Sequence, residues 1–174
     1  MILPTPRLTL RPTLQSDAAA LFAILGDEEA MAFWHRPAFP RLGTVEALLA
    51  DELNAMAAGG FHYWTVVKDR EAIGSMDLSH DDGTSAWAGF LFRRDQWGNG
   101  YAAEALAAVI DHAFGALRLN RVMAGVQTGN ARAVRLLEGQ GFHREGVLPD
   151  LMREEGARAS VLYRRSRSST KNGA

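Results

Sequence analysis

Residues 5–11 alternate, with Leu8 and Leu10 on one face and Thr9 and Arg11 on the other, which predicts a first strand ended by Pro12. Ser16 and Asp17 suit the N-cap of a helix running to Leu25, with Leu21, Phe22 and Leu25 on its apolar stripe. An irregular stretch rich in aromatics and proline, MAFWHRPAFPRLG, precedes a second helix over 44–58. Thr44 caps that helix, and Gly59 and Gly60 stop it. Two strands, 61–67 and 72–80, are joined by a turn at Lys68, Asp69 and Arg70. A second hairpin turn at Asp81, Asp82 and Gly83 leads into a third strand of this meander, 85–92.

Leu106, Val109, Ile110, Ala113, Phe114 and Leu117 recur at helical spacing, so a long amphipathic helix follows the segment QWGNGYAAEAL. Residues 121–126 read as a strand, and Asn130 opens a short helix ended by Gly139 and Gly141. Residues 142–147 and 160–164 supply two final strands joined through a polar loop. The order β-α-α-β-β-β-α-β-α-β-β is that of a mixed α/β fold, a sheet flanked by helices. One domain over 1–165 is expected, followed by a small, polar, basic tail over 166–174.

Composition narrows the function classes. With 174 residues, 47% of them apolar, the chain is sized for one domain with a substantial core. A formal net charge of -1 argues against a nucleic-acid binder, which carries a basic excess on its footprint. Lys68 and Lys171 are the only lysines among 19 basic residues. Arginine forks suit phosphate and carboxylate recognition, and a genomic base-composition bias gives the same excess. Cysteine is absent, which excludes disulfides, thiolate metal sites and cysteine nucleophiles. No apolar run approaches membrane-spanning length, so a cytoplasmic protein with no membrane partner is expected. His112 and His143 have no ligand-like neighbours in sequence, and no metal is expected.

The chemistry begins at Gly98 and Gly100, which open directly into the long helix. Glycine turns there with φ > 0 and lets a ligand approach the backbone. The free N–H groups and positive dipole end of the helix favour a phosphate or pyrophosphate. No lysine follows the glycines, so this is not a P-loop. Gly98-x-Gly100-x-x-Ala103 loosely matches the dinucleotide-binding fingerprint, but that motif follows the first strand of a βαβ unit and wants an acidic residue about 20 positions on. Here three antiparallel strands precede the glycines and the later region reads LNRVMAG, so the dinucleotide reading fails.

The strand order, the glycine turn and the segment NARAVRLLEGQGFHREG together resemble the GNAT superfamily of N-acetyltransferases. The family motif (Gln/Arg)-x-x-Gly-x-(Gly/Ala) falls on Trp97, Gly98, Asn99, Gly100, Tyr101 and Ala102. Tryptophan in its first position is similar to the ribosomal-protein-alanine acetyltransferase (RimJ/RimL-like) branch. The resemblance implies a mostly antiparallel sheet of about seven strands, with a splayed parallel pair that forms an acetyl-CoA cleft. It implies that Trp97 to Ala102 hold the pyrophosphate. It implies that Phe90, Leu91 and Phe92 pair with the pantetheine arm and polarise the thioester carbonyl. Asn130 matches an asparagine that bonds the cofactor arm, and it equally suits the N-cap of its own helix. A primary amine, above all a peptide α-amine, is the implied acceptor, attacking the thioester directly. Small-molecule amines (an amino sugar, a polyamine, an amino acid) stay open, and subunit pairing as a homodimer is common in the branch.

Three expected acid–base groups are replaced. Trp87 stands where many relatives carry a glutamate, Met123 replaces a carboxylate, and Leu137 stands where others carry a tyrosine. A non-catalytic acyl-CoA-binding module is therefore a competing reading. If Ser85 opposes His80 across the turn, His80 shares a face with Trp87 as its diagonal neighbour and is the candidate general base. The alternative is a solvent-facing histidine at a hairpin end. Asp77 alternates to the other face and reads as surface or structural, and Glu104 as a cap or scaffold of the phosphate helix. Arg93, Arg94, Arg132 and Arg135 are within sequence reach of cofactor phosphates. Phe33, Trp34, His35 and Phe39 lie in a loop that resembles the acceptor-lining loop, although packing alone accounts for its aromatics.

Overall fold

A computed structural model describes residues 1–148 and 159–167. The alternating amino terminus forms two strands, β1 (Leu3–Pro4) and β2 (Thr9–Pro12), paired as a hairpin. The central antiparallel meander is β3 (Phe61–Lys68), β4 (Glu71–His80) and β5 (Ser85–Phe92). After it come β6 (Arg121–Gln127), β7 (His143–Leu148) and β8 (Ser160–Ser166). These strands make one eight-stranded sheet in the order β1-β2-β3-β4-β5-β6-β8-β7. The expected count of about seven rises to eight because Leu3–Pro4, ahead of the expected first strand, pairs with what remains of that strand, Thr9–Pro12. All pairings are antiparallel except β5 with β6.

Among the described residues five helices cover the sheet: α1 (Ala18–Leu25), α2 (Glu28–Met31), α3 (Leu42–Ala58), α4 (Tyr101–Gly115) and α5 (Ala131–Gly139). Period-two alternation in the strands divides the core between two faces. On one face Leu10, Trp64, Val66, Met76, Leu78 and Ala86 pack against Leu106, Val109 and Ile110 of α4. On the other, Tyr63 meets Leu21, Ile24 and Leu25 of α1 and Val45 and Leu49 of α3. These apolar side chains are almost wholly removed from water, each of the larger aliphatic ones stabilising the fold by roughly 1.5–3 kcal/mol.

Several boundaries moved for identifiable reasons. The helix expected from Ser16 is preceded by a short 3-10 turn over Gln15–Asp17, and Asp17 caps no helical N–H. Its carboxylate turns back to Arg11 with two bonds of 2.7 and 2.6 Å, and accepts from Leu14 N–H and the Thr65 hydroxyl. Helix α3 starts at Leu42 rather than at Thr44. Helix α2 was not expected; four residues are too few for a period to show. The polar loop before the last strand lies largely outside the described residues. Strand β8 runs through Ser166, and Arg167 N–H donates to Asn120 O at 2.8 Å, so these two residues, expected in the tail, are held by backbone pairing. Positions 168–174 lie outside the described residues. Among the described residues no helix is long and apolar enough to cross a membrane.

Candidate active site

Strands β5 and β6 pair only from Ser85 to Trp87 against Arg121 to Met123 and then part. Beyond that point Gly89, Phe90 and Leu91 are half-buried in what is otherwise a central strand, and Gly125 of β6 is exposed. A gap therefore opens between two neighbouring strands, with peptide edges on both sides. The gap leads to the glycine turn at the end of β5.

Gly98 and Gly100 both adopt left-handed backbone conformations, at φ 78° and 79°, which favour glycine. A Cβ on Gly98 would meet nothing within 4 Å, so the turn faces open space. Gly100 is the N-cap of α4, with no side-chain cap. The first N–H groups of that helix thus have no intrahelical partner. This arrangement fits a phosphate-bearing ligand. The Trp97 backbone N–H donates to Arg94 O at 3.2 Å. Its indole N–H donates to Phe92 O at 2.9 Å, pinning the end of β5 to the turn.

The turn has supports that local sequence does not reveal. Arg7 donates to Asn99 O at 3.0 Å and lies over the Tyr101 ring at 4.7 Å. Glu104 ties that arginine down, which bears out its reading as a scaffold. On the other side the Arg132 guanidinium stacks over Trp97 at 4.3 Å, bringing the start of α5 to the turn. Arg93 is paired with Asp95 and Glu71, and Arg94 with Glu29 and Asp27, so both charges are already matched. Asn130 accepts from Ala133 N–H at 3.1 Å, the geometry of an N-cap. Leu137 is fully buried in the core.

The second side of the gap lies under α1 and α3. The β4–β5 register pairs His80 with Ala86 and Ser79 with Trp87, one residue away from the pairing expected of Ser85. Ser85 instead accepts the Asp81 N–H at 3.0 Å, because the turn between the strands closes one residue tighter. His80 is therefore on the opposite face to Trp87. It lies 5.3 Å from His62, which is itself 5.8 Å from His112 of α4, and its Nε2 is buried without a hydrogen-bond partner among the described residues.

Trp87 shares its face with Asp77, which pairs with Tyr63 on one side and Gly89 on the other. Of the two roles expected for Asp77, surface or structural, the half-buried side chain does not fit the first. Burial pushes its carboxyl up to about 7, against an opposing pull from the Gly89 N–H. Glu52 of α3 is also raised to about 7, by burial and then by the charge of Asp77, with Arg36 acting the other way. Glu52 Oε2 is buried and has no hydrogen-bond partner among the described residues. The aromatic loop before α3 lies along this side: Gln127 at the end of β6 donates to Trp34 O at 2.9 Å, and Trp34 packs on His35. The sequence signal for Asp77 was its alternation with Trp87 across the hairpin, and the one-residue register error concealed it. Among the described residues no cluster of histidine and acidic side chains is arranged to hold a metal ion.

A sheet with one parallel pair that splays, ending at a glycine turn onto a helix, is the architecture of an acyl-CoA-using transferase. The model of the acetyltransferase (GNAT) domain matches residues 7–143, and the chain belongs to that family of N-acetyltransferases. An uncharacterized N-acetyltransferase, p20 of Bacillus licheniformis, is 30% identical over 157 residues, covering 87% of this chain and 88% of that protein. Two solved structures share the fold. RimL, a ribosomal L7/L12 α-N-protein acetyltransferase in complex with coenzyme A, superposes with a TM-score of 0.85 at 17% identity, over 95% of this chain and 98% of that one. Spermidine N-acetyltransferase of Vibrio cholerae, in complex with CoA and spermine, gives 0.80 at 21% identity, over 92% and 95%.

Proposed function

We propose that this acetyltransferase moves the acetyl group of acetyl-CoA to the N-terminal α-amine of a protein or peptide, by direct attack in a ternary complex. The observation that carries the reading is the parting of β5 from β6 beyond Trp87 and Met123, on a line that ends at the glycine turn. The backbone N–H groups of Gly98, Asn99, Gly100, Tyr101 and Ala102 receive the pyrophosphate, with Trp97 setting the shape of the turn. Phe90, Leu91 and Phe92 offer the open strand edge to the amide-bearing pantetheine arm, as an added strand would take it. An N–H group of the same edge polarises the thioester carbonyl as charge develops on its oxygen. Asn130 caps α5 through its side-chain oxygen, and its amide NH2 is the donor available to the cofactor arm.

Two of the structural neighbours point to two acceptor classes, a ribosomal-protein α-amine and a polyamine. The chemistry favours the first. An α-amine of pKa about 7.8 is roughly one-seventh neutral at pH 7, whereas a lysine-like amine of about 10.4 is about 300-fold less so. The carboxyls on the acceptor side, raised to about 7, are weak bases suited to the easier proton. The test is release of CoA thiol from acetyl-CoA against a panel of short peptides, polyamines, amino sugars and amino acids. Peptides with a free α-amine should turn over fastest. Faster turnover of a polyamine overturns the acceptor assignment, and tight acetyl-CoA binding with no acceptor-dependent release overturns the catalytic reading.

A further inference from the structure

Asp77 and Gly89 face each other across the β4–β5 ladder on the side covered by α1 and α3. A Cβ built on Gly89 would lie 2.9 Å from Asp77 Cγ and 3.0 Å from Oδ2, and closer still to Oδ1. Gly89 is not among the left-handed glycines, so its backbone does not require glycine. The missing side chain instead makes room for the carboxylate, which lies across β5. Gly89 is two residues past Trp87, where β5 and β6 part. The carboxylate thus reaches from the neighbouring strand towards the gap, beside the place where a family glutamate is replaced by Trp87.

We propose that Asp77 is the catalytic base of the acetyl transfer, taking the proton from the acceptor ammonium on the α3 side of the gap. The inference rests on the acetyl-CoA reading above. In the step, an N–H proton passes to the Asp77 carboxylate and leaves a neutral amine. The nitrogen lone pair forms the C–N bond to the thioester carbonyl carbon, and the C–S bond breaks with its electron pair on sulfur. The second proton lost from nitrogen ends on that sulfur as CoA thiol, and Asp77 returns its own proton to solvent. Glu52 Oε2, buried and unpartnered among the described residues, is the acceptor that a bound ammonium satisfies, so Glu52 orients the amine.

Next to Asp77 lie Tyr63 and Gly89, its partners on β3 and β5, and Glu52 of α3, which in turn feels the charges of Arg36 and Asp51, while Asp17 acts on Tyr63. Tyr63 is itself pushed up by burial and then by the charge of Glu52, so it stays neutral. The Asp77 charge helps hold the Glu52 carboxyl up, so the two resist ionising together.

The experiment compares Asp77→Asn, Glu52→Gln and the unaltered protein by acetyl-CoA calorimetry and by kcat against pH. Asp77→Asn retains the volume over Gly89 and removes the base. It should leave acetyl-CoA affinity within about twofold, lower kcat by about 100-fold or more, and abolish the acid limb near pH 7. Glu52→Gln should keep that limb, move it to lower pH as a like charge is removed, and raise the acceptor KM. A limb that survives in Asp77→Asn, or disappears only in Glu52→Gln, overturns the assignment. Absence of acceptor-dependent CoA release in the unaltered protein would instead sink the acetyl-transfer reading itself. Should Asp77→Asn fail to fold, carbon-detected NMR of the unaltered protein decides. An Asp77 carboxyl that titrates near neutrality and responds to a bound unreactive amine supports the role; one in the ordinary aspartate range contradicts it.

Discussion

Glu104 holds Arg7 at two points: Oε1 accepts the Arg7 backbone N–H at 2.8 Å, and Oε2 pairs with the guanidinium at 2.6 Å. The Thr5 hydroxyl also donates to Oε1, at 2.5 Å. These contacts fasten the amino-terminal hairpin to the first turn of α4, and Arg7 passes the constraint on to Asn99 of the glycine turn. Burial alone would raise the Glu104 carboxyl, but the Thr5 and Arg7 hydrogen bonds outweigh it and hold the group below its usual range. Glu104→Ala should therefore lower unfolding free energy in urea by about 1–2 kcal/mol, with Arg7 half in solvent limiting the effect. It should also weaken acetyl-CoA binding several-fold by loosening the turn. Unchanged binding would show that the turn holds its shape without this tie.

Gly98→Ala separates conformational strain from steric exclusion. The φ of 78° costs an L-residue roughly 1 kcal/mol, and no neighbour lies within 4 Å of the added methyl. A small fall in Tm with at least about a tenfold rise in the acetyl-CoA Kd is expected if backbone and phosphate approach closely here. Equal affinity in the variant would move the pyrophosphate away from Gly98.

Asp17 is a buried charge matched by Arg11, Leu14 N–H and Thr65, and removing it leaves those partners unpaired. Asp17→Ala should cost about 3 kcal/mol in denaturant unfolding, where an exposed ion pair would cost under about 1. Burial raises the Asp17 carboxyl, but its hydrogen bonds prevail and its folded pKa is lowered from 3.8. Its contribution is thus fully present above that value and is lost as pH falls through the folded pKa. The variant should show a flatter acid limb in stability against pH.

His62 and His112 are both lowered from 6.5, by burial first, with His80 and His112 adding to the effect on His62. The unfolded chain therefore takes up protons before the folded one. Stability is retained above about pH 6.5 and declines as pH falls through the unfolded value towards the folded ones. His62→Gln should reduce that decline between about pH 7.5 and 5.5 in urea titrations. An identical decline in the variant would mean that the cluster is not its source.

Much of this fold follows from periodicity and turn chemistry. Strand β5 begins and ends where the alternation of Ser85 to Phe92 does, and Asn130 caps α5 as its side-chain type suggests. The glycine turn was legible because two close glycines before an amphipathic helix have few other uses. The acceptor side was not. The β4–β5 register depends on how Asp81 to Thr84 close, and Asp82 accepts from both Thr84 and Ser85 to tighten that turn by one residue. A shift of one residue turns every side chain to the opposite face, which exchanged the places of His80 and Asp77. Arg7 and Glu52 reach the site from distant segments, through contacts that no local pattern carries.

Amide hydrogen exchange with and without acetyl-CoA reads directly where the donor sits. Exchange should slow at Gly98 to Ala102 and along Phe90 to Phe92 when acetyl-CoA is added, with β1 and β7 unchanged. Saturable binding that leaves those two segments unprotected, or protects only residues elsewhere, would contradict it.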